Sequence, residues 1–473
     1  MSYVVYKTIG NNEFAYRVTS RWDPKKKQSR RATEYLGKVI DKKSQVFEKV
    51  RLKTITEKLI LDFGDGYVLD QFLKTTKVHS LLASWPLVLQ ETLCVLLCYR
   101  ICHTGAMMHA NNWYDGNILK VLYKNAAVAS QRISDALTML GDEQLQRRFF
   151  QNYIAQFTHE KQGIIIDATS LPNQIHSPMT TWGRSGEEID KQQRFLLVVD
   201  KKTTQPLFFR SLPGNIVDVS TVKNTVQELT QYNIKDCFIY HDAGFFSEDN
   251  IKEYYDNNIN FLTRLPAGRT LYKELINEEA KLLENMTNGT KYGKRGLFVK
   301  EKIIDLFGKE AYAYLVLDPK RKGREIERFL LENIDDNQKS KEEQEYDFIN
   351  NGIMILIASF QIPKEEVVPA YYVRQTAEQL FGFSKDDLDI LPLRVHNDQR
   401  ISGFLFLQFI TLILFVELKN KLGKKHTVEE TILTMKKLKC KVYEKNIIVS
   451  ELSKEQKTIL EKLSIIVPKN MGI

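Results

Sequence analysis

The sequence predicts an α/β protein with a mixed sheet, and three observations carry this. Helical periodicity dominates from about residue 45 to residue 160. Three short apolar runs separated by polar turns follow, GIIID (163–167), RFLLVVD (194–200) and PLFFRS (206–211). From about 219 to 265, helix and strand patterns then alternate. The chain has 473 residues, 43% of them hydrophobic and 27% charged. That is ample for several cores without a disulfide or metal staple, and it excludes wholesale disorder. Five cysteines without paired spacing suit a reducing interior. The opening MSYVVYKTIGNNEFAYRV lacks the apolar core of a signal peptide, so the expected location is cytoplasmic.

In chain order, residues 3–40 read as a β-hairpin. SYVVYKTI and EFAYRVTSRW are strand-like, and DPKKKQSRR is a basic turn. Residues 1–60 hold 15 Lys and Arg against 6 Asp and Glu, which accounts for the whole net charge of +9. A basic head on a neutral body fits a polyanion partner. Lys25, Lys26, Lys27, Arg30 and Arg31 form a run suited to gripping phosphates. The alternative is a solvated lysine-rich surface. VLQETLCVLLCYRICH and ASQRISDALTMLGDEQLQRRFFQNYIAQF read as helical, with Ser130 and Asp142 as caps.

Beyond the three apolar runs come a helix at about 219–232, a strand CFIYHD (237–242), a helix from Ser247 and a strand NFLTRL (260–265). Residues 266–370 read as a β-rich insertion, with DDNQKSKEEQEYD (335–347) as an exposed loop. A helix is expected from about 370 to 383. Ile401–Val416 is nearly all apolar, but it is shorter than the roughly 20 residues of a membrane span, and Gln408 and Thr411 interrupt it. It reads as a helix buried inside the protein, with no membrane partner. The tail 426–473 reads as two short helices around a strand, the second starting at Ser453 in a capping-box pattern, SKEQ.

Several residues could carry chemistry. Asp167 closes GIIID and Asp242 closes CFIYHD, which places two carboxylates at the rim of a sheet. Together they could share divalent cations. Singly, each is an ordinary turn residue or helix cap. Residues 371–385, YYVRQTAEQLFGFSK, place Tyr371, Arg374, Glu378 and Lys385 in the pattern Y-x2-R-x3-E-x6-K. At about 100° per residue these four fall within about 60° of one another on an ideal helix. A carboxylate flanked by two cations suits a metal site that also grips phosphates. The alternative is an i, i+4 Arg–Glu pair on a solvated surface. Cys94, Cys98 and Cys102, with His103, lie on an apolar helix and read as core residues. His241 reads as structural support for Asp242, Asp218 as a helix cap and Asp200 as a turn residue.

On these motifs the sequence resembles DDE transposases of bacterial insertion sequences, in the insertion-sequence-four group marked by a Tyr-Arg-Glu-Lys signature. Asp167 in Asp-x-Thr, Asp242 in Asp-x-Gly-Phe and Glu378 within the signature match the three family acids. Gly214-Asn215 with Asp218 also fits the family pattern. The resemblance implies an RNase H-like catalytic core interrupted by a β-rich insertion. It implies two Mg2+ ions, replaceable by Mn2+, held by Asp167, Asp242 and Glu378. Tyr371, Arg374 and Lys385 would contact phosphates of the transposon end. The implied organisation is a basic hairpin region (1–60), a helical end-binding domain (61–160), the core in two parts (161–265 and 369–425), the insertion (266–368) and a tail with a dimerisation role (426–473). The implied activity is binding of double-stranded transposon ends, metal-dependent cleavage and joining of 3′ ends to target DNA, by a homodimer in the bacterial nucleoid. Relatives that pass through a DNA hairpin stack a flipped base on a Trp of the insertion. This chain has no Trp between 243 and 377, and Tyr292, Phe298, Tyr312 or Tyr314 would have to serve. Two other readings use the same residues: a DNA-binding regulator or domesticated protein without transposition activity, and a metal-dependent nuclease that does not join strands.

Overall fold

The computed structural model describes residues 2–9, 12–23, 28–48, 59–157, 163–185, 188–215, 221–232, 234, 238–333 and 340–472. The chain divides into two compact units. One comprises residues 1–59 with 441–448 and 472–473, the other 60–440 with 449–471.

The first unit is built on an antiparallel sheet of β1 (Ser2–Ile9), β2 (Asn12–Asp23), β3 (Gln28–Asp41) and β4 (Val46–Glu48), in that order. The hairpin expected over 3–40 is therefore part of a larger sheet. The run QSRR, read as turn, opens β3, so Arg30 and Arg31 lie on a strand. Arg31 is exposed, and Trp22 at the end of β2 is 65% exposed. Lys25, Lys26 and Lys27 lie outside the described residues.

The second unit begins with β5 (Leu59–Asp62) and a helical region: α1 (Gly64–Thr75), α2 (Lys77–Leu82), α3 (Leu87–Cys102), α4 (Ala110–Asp115), α5 (Leu119–Leu122), α6 (Ser130–Leu140) and α7 (Glu143–Ile154). The helical stretch from Ala129 is two helices: Gly141 ends α6, and the Asp142 side chain caps α7 at the Leu145 N–H, as expected. Ser130 is the first residue of α6 and Ala129 stands at the cap.

Next come β6 (Gly163–Pro172), β7 (Thr181–Ser185), β8 (Glu188–Asp200), β9 (Pro206–Pro213), α8 (Thr221–Gln231), β10 (Phe238–His241), α9 (Glu248–Asp256), β11 (Asn260–Arg264) and α10 (Thr270–Glu279). They are followed by β12 (Gly289–Tyr292), β13 (Arg295–Leu306), β14 (Lys309–Leu317), α11 (Pro319–Asn333), α12 (Lys341–Asn350) and β15 (Ile353–Ala358). These ten strands form one sheet in the order β12-β13-β14-β15-β11-β10-β6-β8-β7. β9 pairs β8 at one end and β7 pairs it at the other. β6, β10 and β11 are mutually parallel, and β8 runs against β6. The segment read as a β-rich insertion corrects to a mixed one. Its four strands, β12–β15, extend the main sheet outward from β11, and it also carries α10, α11 and α12. Part of the polar run read as loop is helical, because Ser340 and Glu343 form a capping box that starts α12.

The chain continues through α13 (Lys364–Tyr372), α14 (Gln375–Gly382), α15 (Asp398–Leu422), α16 (Val428–Lys436) and α17 (Lys454–Leu463). α15 is the apolar helix of the sequence. With the turn after it, this is a helix long and apolar enough to cross a membrane, yet 89% of its most apolar window is buried inside the protein. Asn397 caps its start and Gly423, at φ 63°, ends it. Aromatic rings join it to α7 and β9. The Phe150 ring lies 4.8 Å from Phe208, 5.8 Å from Phe406 and 5.4 Å from Phe409. Ser453 caps α17 as expected, and the tail carries three strands, Lys439–Val442, Asn446–Val449 and Asn470–Gly472, where one was read.

α15 also touches α6 backbone to backbone. A Cβ on Gly403 would come to 1.9 Å from the Leu137 carbonyl oxygen, and one on Gly141 to 1.9 Å from that of Gln399. In an ordinary helix interior, Gly→Ala gains up to about 1 kcal/mol of propensity. Here the contact reverses the sign, because overpacking typically costs about 1–3 kcal/mol. Gly403→Ala should therefore lower the urea midpoint, while Ala at Gly296, which has no neighbour within 4 Å, should not lower it comparably. Equal effects would show that α6 and α15 are not in backbone contact.

Candidate active site

The three parallel strands set out the first two acids. Asp167 lies in the middle of β6, not at a strand end as the sequence suggested, and pairs in register with Leu197 of β8. The polar residues Thr169 and Ser170 carry the strand onward to Pro172. β10 pairs with β6 through Tyr240 and Ile165, and continuing that register by two residues sets Asp242 beside Asp167. Asp242 is the first residue after β10 and heads a tight turn over Ala243–Phe245. His241, facing the other way, is buried. Its Nδ1 lies 3.0 Å from the Asp242 carbonyl oxygen and 3.1 Å from Thr263 Oγ1. Burial holds its pKa down at about 4, so it is neutral near pH 7.

The Y-x2-R-x3-E-x6-K stretch is not one straight helix. α13 ends at Tyr372, α14 starts at Gln375, and a π-turn over Phe383–Asp387 follows. All four signature side chains nevertheless reach the acids or their strands. Tyr371 donates its hydroxyl to Asp242 Oδ1 at 2.9 Å. Arg374 Nη1 lies 3.2 Å from Asp167 Oδ2 and 3.9 Å from Asp242 Oδ2, and its Nη2 lies 2.9 Å from Glu378 Oε1. Lys385 donates to Thr169 Oγ1 at 2.8 Å. Thr169 is two residues along β6 from Asp167 and so on the same face. The sequence marked Thr169 only as the Thr of the Asp-x-Thr context, and its contact with Lys385 is what the structure adds.

Two expectations change. The i, i+4 pair of Arg374 with Glu378 exists, but not on a solvated surface, because the Arg374 side chain is only 17% exposed. The arginine stands among all three acids. Tyr371 is buried and supports Asp242, so here its hydroxyl is not presented to a phosphate.

Burial pushes the Asp167 carboxyl up to about 7. Asp242 and Glu378 add to this, and Arg374 and the Ala168 N–H oppose it. Burial also disfavours charge on Asp242. There, however, Arg374, the Ala243 N–H and the Tyr371 hydroxyl prevail and hold it below the usual carboxylate range. Burial lowers the Arg374 pKa less than Asp242, Asp167, Tyr371 and Glu378 raise it, so it stays charged. Burial lowers the Lys385 ammonium, only partly offset by Asp386.

Among the described residues, no three His, Cys, Asp or Glu side chains close around a common point. The acids are drawn to the guanidinium instead. Their chemistry is nevertheless that of a hard-cation site: three carboxylates, all oxygen donors, already gathered around one positive charge. The remaining candidates are quieter. Cys94 and Cys98 are core residues on α3, and burial raises the Cys94 thiol to about 12. Asp200 accepts from the Thr203 N–H at 2.7 Å as a turn residue. Gly214 and Asn215 clasp β7, the Asn215 N–H donating to Thr181 Oγ1 at 2.8 Å. Asp218 lies outside the described residues.

The folded chain holds the Asp167 proton more tightly than the unfolded chain does. Ionising Asp167 therefore costs stability as pH rises from its ordinary 3.8 to about 7. Asp167→Asn should raise the melting temperature of the metal-free protein at pH 8, and the gain should shrink as pH falls toward 4. Each unit of displacement corresponds to about 1.4 kcal/mol. Thermal melts in EDTA across this range check it. A gain independent of pH would show that Asp167 is already ionised throughout.

A family model described as a transposase DDE domain matches residues 158–414, more than half of the chain. No curated protein matches. Among solved structures, the chain is similar to the piggyBac transposase in a cryo-EM synaptic complex with hairpin DNA, at 10% identity and a TM-score of 0.41, with 79% of each chain covered. The matched segment runs from just before β6 into α15 and contains Asp167, Asp242 and Glu378, and by that match the chain belongs to the family of transposases with a DDE domain.

Proposed function

We propose that the protein is a cut-and-paste transposase of the insertion-sequence-four group. It binds the terminal inverted repeats of its element, cleaves them and joins the 3′ ends to target DNA. The observation that carries this reading is the gathering of Asp167, Asp242 and Glu378 around Arg374. The strand order β9-β8-β6-β10-β11, with β8 alone reversed, supports an RNase H-like core.

Asp167, Asp242 and Glu378 would hold two Mg2+ ions, or Mn2+ in their place. When bound, these supply activation of a water or 3′-hydroxyl nucleophile and stabilisation of the leaving 3′-oxygen. The chain's own residues set the stage for this. β6 fixes Asp167 by pairing along both edges. Tyr371 orients the Asp242 carboxylate. Arg374 keeps three like charges together before DNA arrives, and its planar fork then suits a phosphate. Thr169 holds the Lys385 ammonium on the same face of β6, where it would meet the DNA backbone. Lys25, Lys26, Lys27, Arg30 and Arg31 would grip end DNA from the first unit. Two ends must be processed in concert, so the working form is a homodimer, acting in the cytoplasm on the bacterial nucleoid. The mass of a complex with end DNA checks that assembly.

Asp167→Asn, Asp242→Asn or Glu378→Gln should lower end cleavage by more than roughly a hundredfold, since each removes a donor that even outer-shell changes of such sites disturb. End binding should survive, because phosphate contacts come mainly from basic groups. Cleavage at near-normal rates by any of the three would remove that residue from the site. Deleting residues 1–60 should weaken DNA binding and flatten its dependence on salt. An unchanged slope would exclude the first unit as a DNA contact.

A further inference from the structure

The N-terminal unit is not the only basic surface. At the β12 edge of the main sheet lies an open concavity of about 910 Å3, lined by Lys291, Lys294, Arg295 and Lys320, with Asp318 and Glu365. All four cations are exposed. Asp318 is already engaged: it pairs with Arg295 at 3.2 Å and accepts from the Lys320 and Arg321 N–H groups. Nearby, Arg321 pairs with Glu325 and Lys322 with Glu284. Among the described residues, no ion pair engages Lys291, Lys294 or Lys320. Three lysines free of ion pairs therefore line one concavity where, among the described residues, Glu365 is the one carboxylate not already engaged, so the lining keeps an excess of positive charge.

The concavity is tied to the acids by aromatic stacking. Tyr292 stacks on Tyr372 with ring centroids 5.1 Å apart and planes 12° from parallel. The Arg295 guanidinium lies 5.6 Å from one ring and 5.8 Å from the other. Tyr372 directly follows Tyr371, which is bonded to Asp242. α13 thus carries Glu365 at the concavity and Tyr371 at the acids, six residues or roughly 9 Å along the axis. That is about three base-pair steps of duplex DNA at ~3.4 Å each.

We propose that this concavity holds the phosphate backbone of duplex DNA a few base pairs from the phosphate being cut. The proposal rests on the reading of the acid cluster as a DNA-cleaving site. The Tyr292–Tyr372 stack fixes β12 against α13, so that the lysines and the acids address one duplex at a set spacing. The DNA comes from one of two sources, the transposon end or the target.

The test uses the full chain in EDTA, where no cleavage is needed. The triple variant Lys291→Gln, Lys294→Gln, Lys320→Gln is compared with a triple Lys→Arg variant. Binding is read by fluorescence anisotropy, as a function of salt, on two labelled duplexes: one of random sequence and one copied from the DNA flanking the coding region. The glutamine variant should lose at least about tenfold in affinity, and its salt slope should fall by about 2–3. The arginine variant should keep both. A loss confined to the flanking duplex assigns the concavity to end DNA, a loss confined to the random duplex assigns it to target DNA, and a loss on both makes it a shared track. Unchanged affinity and slope on both duplexes, or equal losses in the arginine variant, overturn the proposal. Cleavage assayed separately with Mg2+ keeps the two ideas apart: unchanged binding in a variant that cuts normally removes this inference alone, and a protein that never cuts still leaves the binding result standing.

Discussion

The second unit is organised around one guanidinium. Three carboxylates brought together from β6, from the turn after β10 and from α14 would repel one another strongly. Asp167, the most buried, would be the first to give up its charge. Arg374 answers all three at once, at 3.2, 3.9 and 2.9 Å. It stands between α13 and α14 in near-helical conformation, and Glu378, one helical turn on, falls back onto the same arginine. Tyr371 and Lys385, on either side, then bind Asp242 and Thr169. Without the arginine the parallel strands would set two aspartates side by side with the Ala168 and Ala243 N–H groups and the Tyr371 hydroxyl as their main remaining support.

The scaffold keeps this corner rigid from behind. α15 lies against β9 through the rings of Phe209, Phe406 and Phe409 and against α6 through glycine-mediated backbone contact. The helical region reaches the site end of the sheet through Arg100 of α3. This residue is buried, and it donates to the carbonyls of Gly105, Leu388 and Asp389. Leu388 directly follows the π-turn that contains Lys385. The helix most easily mistaken for a membrane span is thus a structural spine, and the charge buried near it fastens the chain just beyond the signature.

Much of this was legible in the sequence, and the reason differs by element. GIIID, RFLLVVD and PLFFRS announced buried strands because continuous apolar runs bounded by turns have few other uses. Asp167 and Asp242 were legible because a carboxylate beside such a run is placed by the sheet. The spacing of Tyr371, Arg374, Glu378 and Lys385 was legible as a stripe. What escaped depended on partners far away in the chain. β7 is short and polar and exists only by pairing with β8. β12–β14 looked like a separate insertion because pairing with β15 cannot be read locally. The mid-strand place of Asp167 was hidden by the polar residues that continue β6. Arg374 meets Asp167 across 207 positions of sequence, and no helical projection could reveal that contact.

Two arginines shielded from solvent, Arg100 and Arg374, differ in what satisfies them. Arg100 is satisfied by backbone carbonyls, which belong to the fold and cannot turn elsewhere without unfolding it. Burial lowers its pKa to about 10, the nearby Asp389 offsetting this only in part, so it stays charged near neutral pH. Arg374 is satisfied by side-chain carboxylates, and these same groups raise its pKa above the ordinary value. Carboxylates that neutralise one cation can bind others, and the two Mg2+ ions of the proposed function would bring more positive charge than the arginine alone supplies. The arginine, once replaced, would be a desolvated, planar phosphate ligand next to the acids. The contacts that stabilise the resting protein and those that would grip DNA are then the same side chain in two partnerships.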